Sequence, residues 1–153
     1  MTWPSDELAG FPVVTSTKVM TNGDVIFTFY GDILIQNLYS QCMTANGVAA
    51  TTLQYSVTPS GLAATPISGV SASLASATAG TIVTLDGTTL ATAPAIVPNG
   101  VGLGQVQRGI IATQGTGASG TITLVIGTGP TTGTWKHYLR YIPLELAAMV
   151  KGS

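Results

Sequence analysis

His137 and Cys42 are the only histidine and the only cysteine in the chain, and the carboxylates number six: Asp6, Glu7, Asp24, Asp32, Asp86 and Glu145. A metal centre needs several histidine, cysteine or carboxylate ligands converging on one point, and a lone histidine with scattered acids cannot supply them. A Ser-His-Asp arrangement is formally open through Asp32 or Asp86, but no nucleophile-elbow spacing is present. His137 instead alternates in phase with Trp135, Leu139 and Tyr141, as a strand histidine partly buried beside aromatics does. Cys42 has no histidine or basic neighbour in sequence to lower its pKa, so it reads as a small core or interface residue. The acids are too dispersed to form the close pair of a glycoside hydrolase. The Gly-Thr-Gly runs at Gly115–Gly117 and Gly127–Gly129 fall between strands, whereas phosphate-binding loops pass from a strand into a helix. The expectation is a protein that is not an enzyme, with no catalytic residue, no cofactor and no metal.

The elements that carry these residues are strands. Gln105 to Pro143 reads as three in succession, Val106–Thr113, Thr121–Ile126 and Thr134–Ile142, joined by Gly-, Thr-, Ser- and Pro-rich turns. Ile122, Leu124 and Ile126 share one face of the second. Trp135, His137, Leu139 and Tyr141 share one face of the third, opposite Lys136, Tyr138, Arg140 and Ile142. The drier of those two faces is the one without cations, which makes Trp135 a core anchor. The second and third strands are expected to pair as a hairpin. Earlier in the chain, Pro12–Met20, Asp24–Tyr30, Ile33–Thr44, Thr51–Val57 and Thr81–Leu85 are β-rich, with turn signals at Thr21–Asp24, Ala45–Gly47 and Asp86–Gly87. Thr51–Val57 is expected to return antiparallel to Ile33–Thr44, and Thr88–Ala95 to return briefly after the Asp86–Gly87 turn. Pro59 to Ala79 has a linker's composition, yet Leu62, Ile67, Val70 and Leu74 recur often enough to predict a packed loop followed by an edge strand.

These elements, with no internal repeat, give an all-β fold: an antiparallel β-sandwich, and a jelly roll as first choice for eight strands in 153 residues. The domain is expected over 12–143, between an N-terminal arm, 1–11, and a C-terminal arm, 144–153. Leu144, Ala147, Ala148 and Lys151 would line one face of a short helix in the second arm, although ten residues rarely hold a helix without packing. Both arms are expected to be ordered by neighbouring molecules, with Trp3, Pro4, Phe11, Leu144, Leu146 and Met149 as the candidate interface.

Only 7% of residues are charged, against about 25% in ordinary soluble domains, and the net charge is −1. So little polar cover predicts that other subunits hide much of the surface. Five scattered basic residues give no footprint for nucleic acid. No apolar run approaches the length needed to span a membrane, and the start MTWPSDELAG lacks the pattern of a secretory signal.

The Gly-, Ala-, Thr- and Ser-rich chain resembles virion proteins of tailed bacteriophages. GDVIFTFYGDILIQNLYS and TWKHYLRYIPLE are similar to segments of the small β-sandwich proteins that decorate, or cement, phage heads. The resemblance implies a structural protein made in the host cytoplasm and placed on the capsid surface of the virion. It would be a homotrimer seated at three-fold or quasi-three-fold positions of the major capsid protein lattice. It carries over no functional residue. The alternative is a head-fibre or tail-fibre module binding a host-surface glycan, with Tyr30, Tyr39, Tyr55, Trp135 and Tyr138 as candidate stacking platforms.

Overall fold

The computed structural model describes residues 10–85, 89–97 and 109–153, and among these there are twelve strands and no helix. In chain order they are β1 (Phe11–Val14), β2 (Lys18–Val19), β3 (Val25–Tyr30), β4 (Ile33–Cys42), β5 (Thr52–Thr58) and β6 (Thr65–Pro66). They continue as β7 (Ile82–Thr84), β8 (Ala95–Val97), β9 (Ile110–Ala112), β10 (Gly120–Gly127), β11 (Thr134–Pro143) and β12 (Met149–Gly152). One sheet runs β1-β11-β4-β7-β8, with β2 also on β11 and β9 also on β4; the other runs β12-β3-β10-β5-β6. Every strand pair is antiparallel. The two sheets pack face to face as a β-sandwich.

The alternation of side chains behaves as its period of two requires. Ile122, Leu124 and Ile126 of β10, and Trp135, Leu139 and Tyr141 of β11, are all buried in the common core. Leu53, Tyr55 and Val57 of β5 and Ile33, Ile35, Leu38 and Cys42 of β4 complete it from both sides. At Gln36–Asn37 the register slips by one residue between Arg140 and Tyr141, so two consecutive residues of β4 leave the core face and the inward phase resumes at Leu38. Gly120 holds its place in β10 because a Cβ there would run into the ring of Phe29 on the paired strand.

Sequence neighbours are mostly not sheet neighbours, and this overturns the expected hairpins. β10 lies in the smaller sheet and β11 in the larger, so 128–133 is an arch between sheets. The same holds for β4 and β5, and the Asn22-Gly23 turn likewise carries the chain from β2 in one sheet to β3 in the other. The physical reason is occupancy: β4 is already flanked by β11 on one side and by β7 and β9 on the other, leaving no edge for β5. Four of the pairs are nested in sequence, with β5–β6 inside β4–β7, inside β3–β10, inside β1–β11, and the β4–β11 and β5–β10 ladders join these within each sheet. The return on β7 is antiparallel but comes later than Thr88–Ala95: residues 89–94 carry no strand and β8 is Ala95–Val97, while Asp86, Gly87 and Thr88 lie outside the described residues. Of the expected strand Val106–Thr113, residues 106–108 also lie outside them.

Both ends of the expected domain need correction. Phe11 already belongs to a ladder, opposite Tyr141. Leu144–Ser153 is neither a helix nor an arm resting on a neighbour: after a turn at 144–148, Met149–Gly152 pairs with β3 as an edge strand. Val150 fills the inward position there, and its N–H donates to the Tyr141 hydroxyl at 3.3 Å. The open edge of β3 offers these residues a full set of backbone partners, which an isolated two-turn helix would lack. Ser153 then ties the two sheets, its N–H donating to Ile26 O (3.1 Å) and its carbonyl accepting from Ser16 N–H (2.8 Å).

The opposite edge is closed by the segment that resembled a linker. Ile67 and Leu74 are buried, while Leu62 and Val70 are exposed. Beyond β6 the ladder continues with hydroxyls in place of carbonyls: Ser68 Oγ accepts from Tyr55 N–H (3.0 Å) and Ser71 Oγ from Leu53 N–H (2.9 Å). Side chains thus satisfy backbone donors that would otherwise be a template for another strand.

Candidate functional site

A polar cluster at the centre of the interior is built on three strands. His137 (β11) and Ser40 (β4) stand directly opposite each other in the larger sheet, and Tyr55 (β5) reaches across from the smaller one. Ser40 Oγ lies 2.7 Å from His137 Nδ1 and 2.7 Å from the Tyr55 hydroxyl, which donates to Val83 O at 3.1 Å. All three side chains are fully buried. Burial, with a smaller contribution from Lys18 and an opposing one from Asp24, pushes the His137 imidazole down to about 4. Burial likewise holds the Tyr55 phenol well above its ordinary value, against a smaller opposing hydrogen bond from Ser40. The sequence reading had His137 partly buried; it is wholly enclosed.

A serine hydroxyl 2.7 Å from an imidazole has the distance of a nucleophile and its base. Here, however, the third partner is a tyrosine whose proton goes to a backbone carbonyl, and no member of the chain meets solvent. Asp32 is elsewhere, accepting from Gln114 N–H at 2.9 Å, and Asp86 lies outside the described residues. What this arrangement does is join the two sheets at their centre. Cys42 is also enclosed, its thiol donating to Thr44 O at 3.1 Å, and burial raises its pKa. No group of three or more potential metal ligands occurs among the described residues.

Of the six residues expected at an interface, three lie close together in the chain around one bend of the surface. Leu144, Leu146 and Met149 surround the Gly31–Asp32 bend: Leu144 N–H donates to Asp32 O (2.9 Å), Glu145 Oε1 accepts from Asp32 N–H (2.7 Å), and Met149 pairs with Tyr30. Leu146 is fully exposed, and Leu144, Met149 and Tyr30 are each more than a third exposed. Phe11 packs on Tyr141, their rings 5.8 Å apart. Trp3 and Pro4 lie outside the described residues. The sequence reading missed that the outer face of the larger sheet extends this corner: Ile142, Leu34 and Ile111 stand in one rank across three strands, and Ile111 is largely exposed. Their phase was legible within each strand, but their adjacency depends on pairings that no local signal announces.

Further along that outer face Tyr39 and Tyr138 are cross-strand partners with stacked rings, 4.6 Å between centroids and 7° between planes. Tyr138 donates to Gln41 Oε1 at 3.1 Å, and Lys136 Nζ stands 5.9 Å from its ring. Of the aromatic residues considered as stacking platforms, Tyr55 and Trp135 are removed by complete burial. Because Lys136 is on this wet face, Lys136→Ala is expected to shift stability by no more than about 0.5 kcal/mol in urea unfolding.

Comparison with protein-family models, with curated proteins and with solved structures finds no match to this chain.

Proposed function

We propose that this protein is a non-enzymatic structural protein of a virion, a homotrimer that binds the outside of a phage capsid at three-fold or quasi-three-fold positions and stabilises the shell. The observation that carries this reading is the apolar corner at Tyr30, Leu144, Leu146 and Met149, on a domain with hardly any charge. Exposed large apolar side chains gathered at one end mark a contact surface. The closing of the β5 edge by Ser68 and Ser71 supports it further, since there it favours contact through side chains over strand addition. The nested strand pairs fit a jelly roll, a long two-stranded ribbon wound through both sheets. A trimer presenting three such corners engages a lattice by successive, effectively intramolecular contacts. Because it binds only the assembled shell, it stabilises that shell by mass action.

The test adds purified protein to capsids that lack it. A rise in capsid melting temperature, with light scattering showing a trimer in solution, is the expected result; Leu146→Asp is expected to abolish the rise while leaving the domain's own melt intact. Unchanged capsid stability with the parent protein defeats the reading. A second reading, a head-fibre or tail-fibre module binding a host-surface glycan, is favoured by the Tyr39–Tyr138 stack, since exposed aromatic rings flanked by polar groups suit a sugar face. It predicts binding to host cells, lost in Tyr138→Ala, and no effect on capsids.

A further inference from the structure

The direction of each hydrogen bond in the buried cluster follows from counting protons. Val83 O can only accept, so the Tyr55 hydroxyl spends its proton there. The Tyr55 oxygen then accepts from Ser40, which leaves the Ser40 oxygen to accept from His137. With the bonds so directed, the His137 proton is assigned to Nδ1. Nε2 is a bare lone pair, buried and without a partner among the described residues. The chain of bonds runs from β11 through β4 to β5 and back to β7, crossing between the sheets twice.

We propose that this chain is an acid-released latch between the two sheets, opened by a single proton arriving at Nε2 of His137. The neutral ring completes the chain. The protonated ring keeps its Nδ1–H bond but gains a second N–H aimed at no acceptor, and places a positive charge between the sheets. The ionisable groups around it offer no compensation. Tyr55 faces it from β5 with its hydroxyl committed to Val83, and Cys42 from β4 is buried and has its pKa raised. Lys18 on β2 opposes the new charge, while Asp24, 3.8 Å from Lys18, partly offsets it. The inward residues of β3 and β10 (Ile26, Phe27, Phe29, Ile122, Leu124 and Ile126) carry no ionisable group.

The sign follows from the ring's depressed value, about 4 in the folded protein against the ordinary 6.5. The unfolded chain takes up its proton first, so this contribution to stability is whole above pH 6.5 and drains away as the pH falls toward 4. At up to tenfold per pH unit, the folding equilibrium constant loses on the order of a hundredfold across that window.

Urea unfolding of the parent and of His137→Asn between pH 7 and pH 4.5 tests this. Asparagine offers an amide N–H in the place of Nδ1–H and does not titrate. The carboxylates act alike in both proteins, so the difference isolates His137. The parent is expected to lose on the order of a hundredfold more in folding constant than the variant; equal losses overturn the proposal. Should His137→Asn not fold, nitrogen-15 NMR of the parent decides, because the chain has one histidine and its ring signals need no assignment. An Nδ1–H ring that stays neutral down to about pH 5 upholds the latch. An Nε2–H ring, or one titrating at its ordinary value while the protein is folded, refutes it. Neither measurement depends on what the protein binds.

Discussion

Trp135→Ala is expected to cost about 3–5 kcal/mol of folding free energy and to lower the melting temperature by roughly 10 °C. Trp135 is the largest of the side chains fully withdrawn from water, and its strand is held on both sides, by Cys42 of β4 and by Lys18 of β2. Removing it leaves a cavity in the core, lined by strands that cannot close over it without breaking ladders. Trp135→Phe is expected to be much milder, under about 1.5 kcal/mol. The indole Nε1–H has no partner among the described residues, so phenylalanine deletes a buried unsatisfied donor along with part of the ring. Paired thermal melts check both. A Trp135→Ala protein that melts with the parent would place the ring outside the core and reverse the phase assigned to β11.

Asn46→Ala is expected to cost about 2–4 kcal/mol, a large effect for a loop residue. The Asn46 side chain is buried among three segments: Oδ1 accepts from Thr132 N–H and Gly133 N–H, each at 3.0 Å, and Nδ2 donates to Leu74 O at 3.0 Å. Alanine would leave the buried Gly133 N–H without its acceptor and take one partner each from the Thr132 N–H and from Leu74 O, which keeps only Ala77 N–H (3.2 Å). Gly133 adds to the closeness of the joint, because a Cβ there would collide with the backbone of Thr44 and Ala45. Asn46→Asp separates the two halves of the amide. It keeps the acceptor but turns a second oxygen toward Leu74 O, so it should be destabilised at neutral pH and partly recover in acid, relative to the parent, once the carboxyl regains a donor. Urea midpoints at pH 7 and pH 4 measure it, and an Asn46→Asp protein equal to the parent at both would remove the amide from the joint.

Within a strand, the sequence was a good guide. The inward set Trp135, His137, Leu139, Tyr141 and the outward set Lys136, Tyr138, Arg140, Ile142 stand as their alternation requires, because the period of two is a local property of the backbone. The layered all-β architecture follows from the same patterning. Which strands pair did not follow, because Gly-Thr-Gly or Asn-Gly turns the chain equally well into a hairpin or an arch. Only the crowding of β4 by β11, β7 and β9 decides that β5 belongs to the other sheet. The C-terminal strand was missed for a related reason: Met149–Gly152 is short and weakly patterned, and its conformation is set by the vacant edge of β3. Ser40 and Tyr55 gave no sign that they meet His137, since neither contact is local in sequence.

The nesting of the strand pairs sets an order in which the chain can assemble. Ser56 meets Pro66 close by in sequence, Tyr39 meets Thr84 further off, Phe27 meets Ile122 further still, and Val13 meets Leu139 across most of the chain. Loop closure becomes harder with loop length, but each closure shortens the effective loop left for the next. The ribbon is therefore expected to zip from β5–β6 outward, with β11 recruited late. Such a high contact order places the domain among slow folders. If β11 docks late, weakening the contacts of Trp135 is expected to hasten unfolding more than it slows folding, which stopped-flow folding and unfolding rates of Trp135→Phe would measure. On that order, the durability of the assembled sandwich would lie with its last strand to arrive.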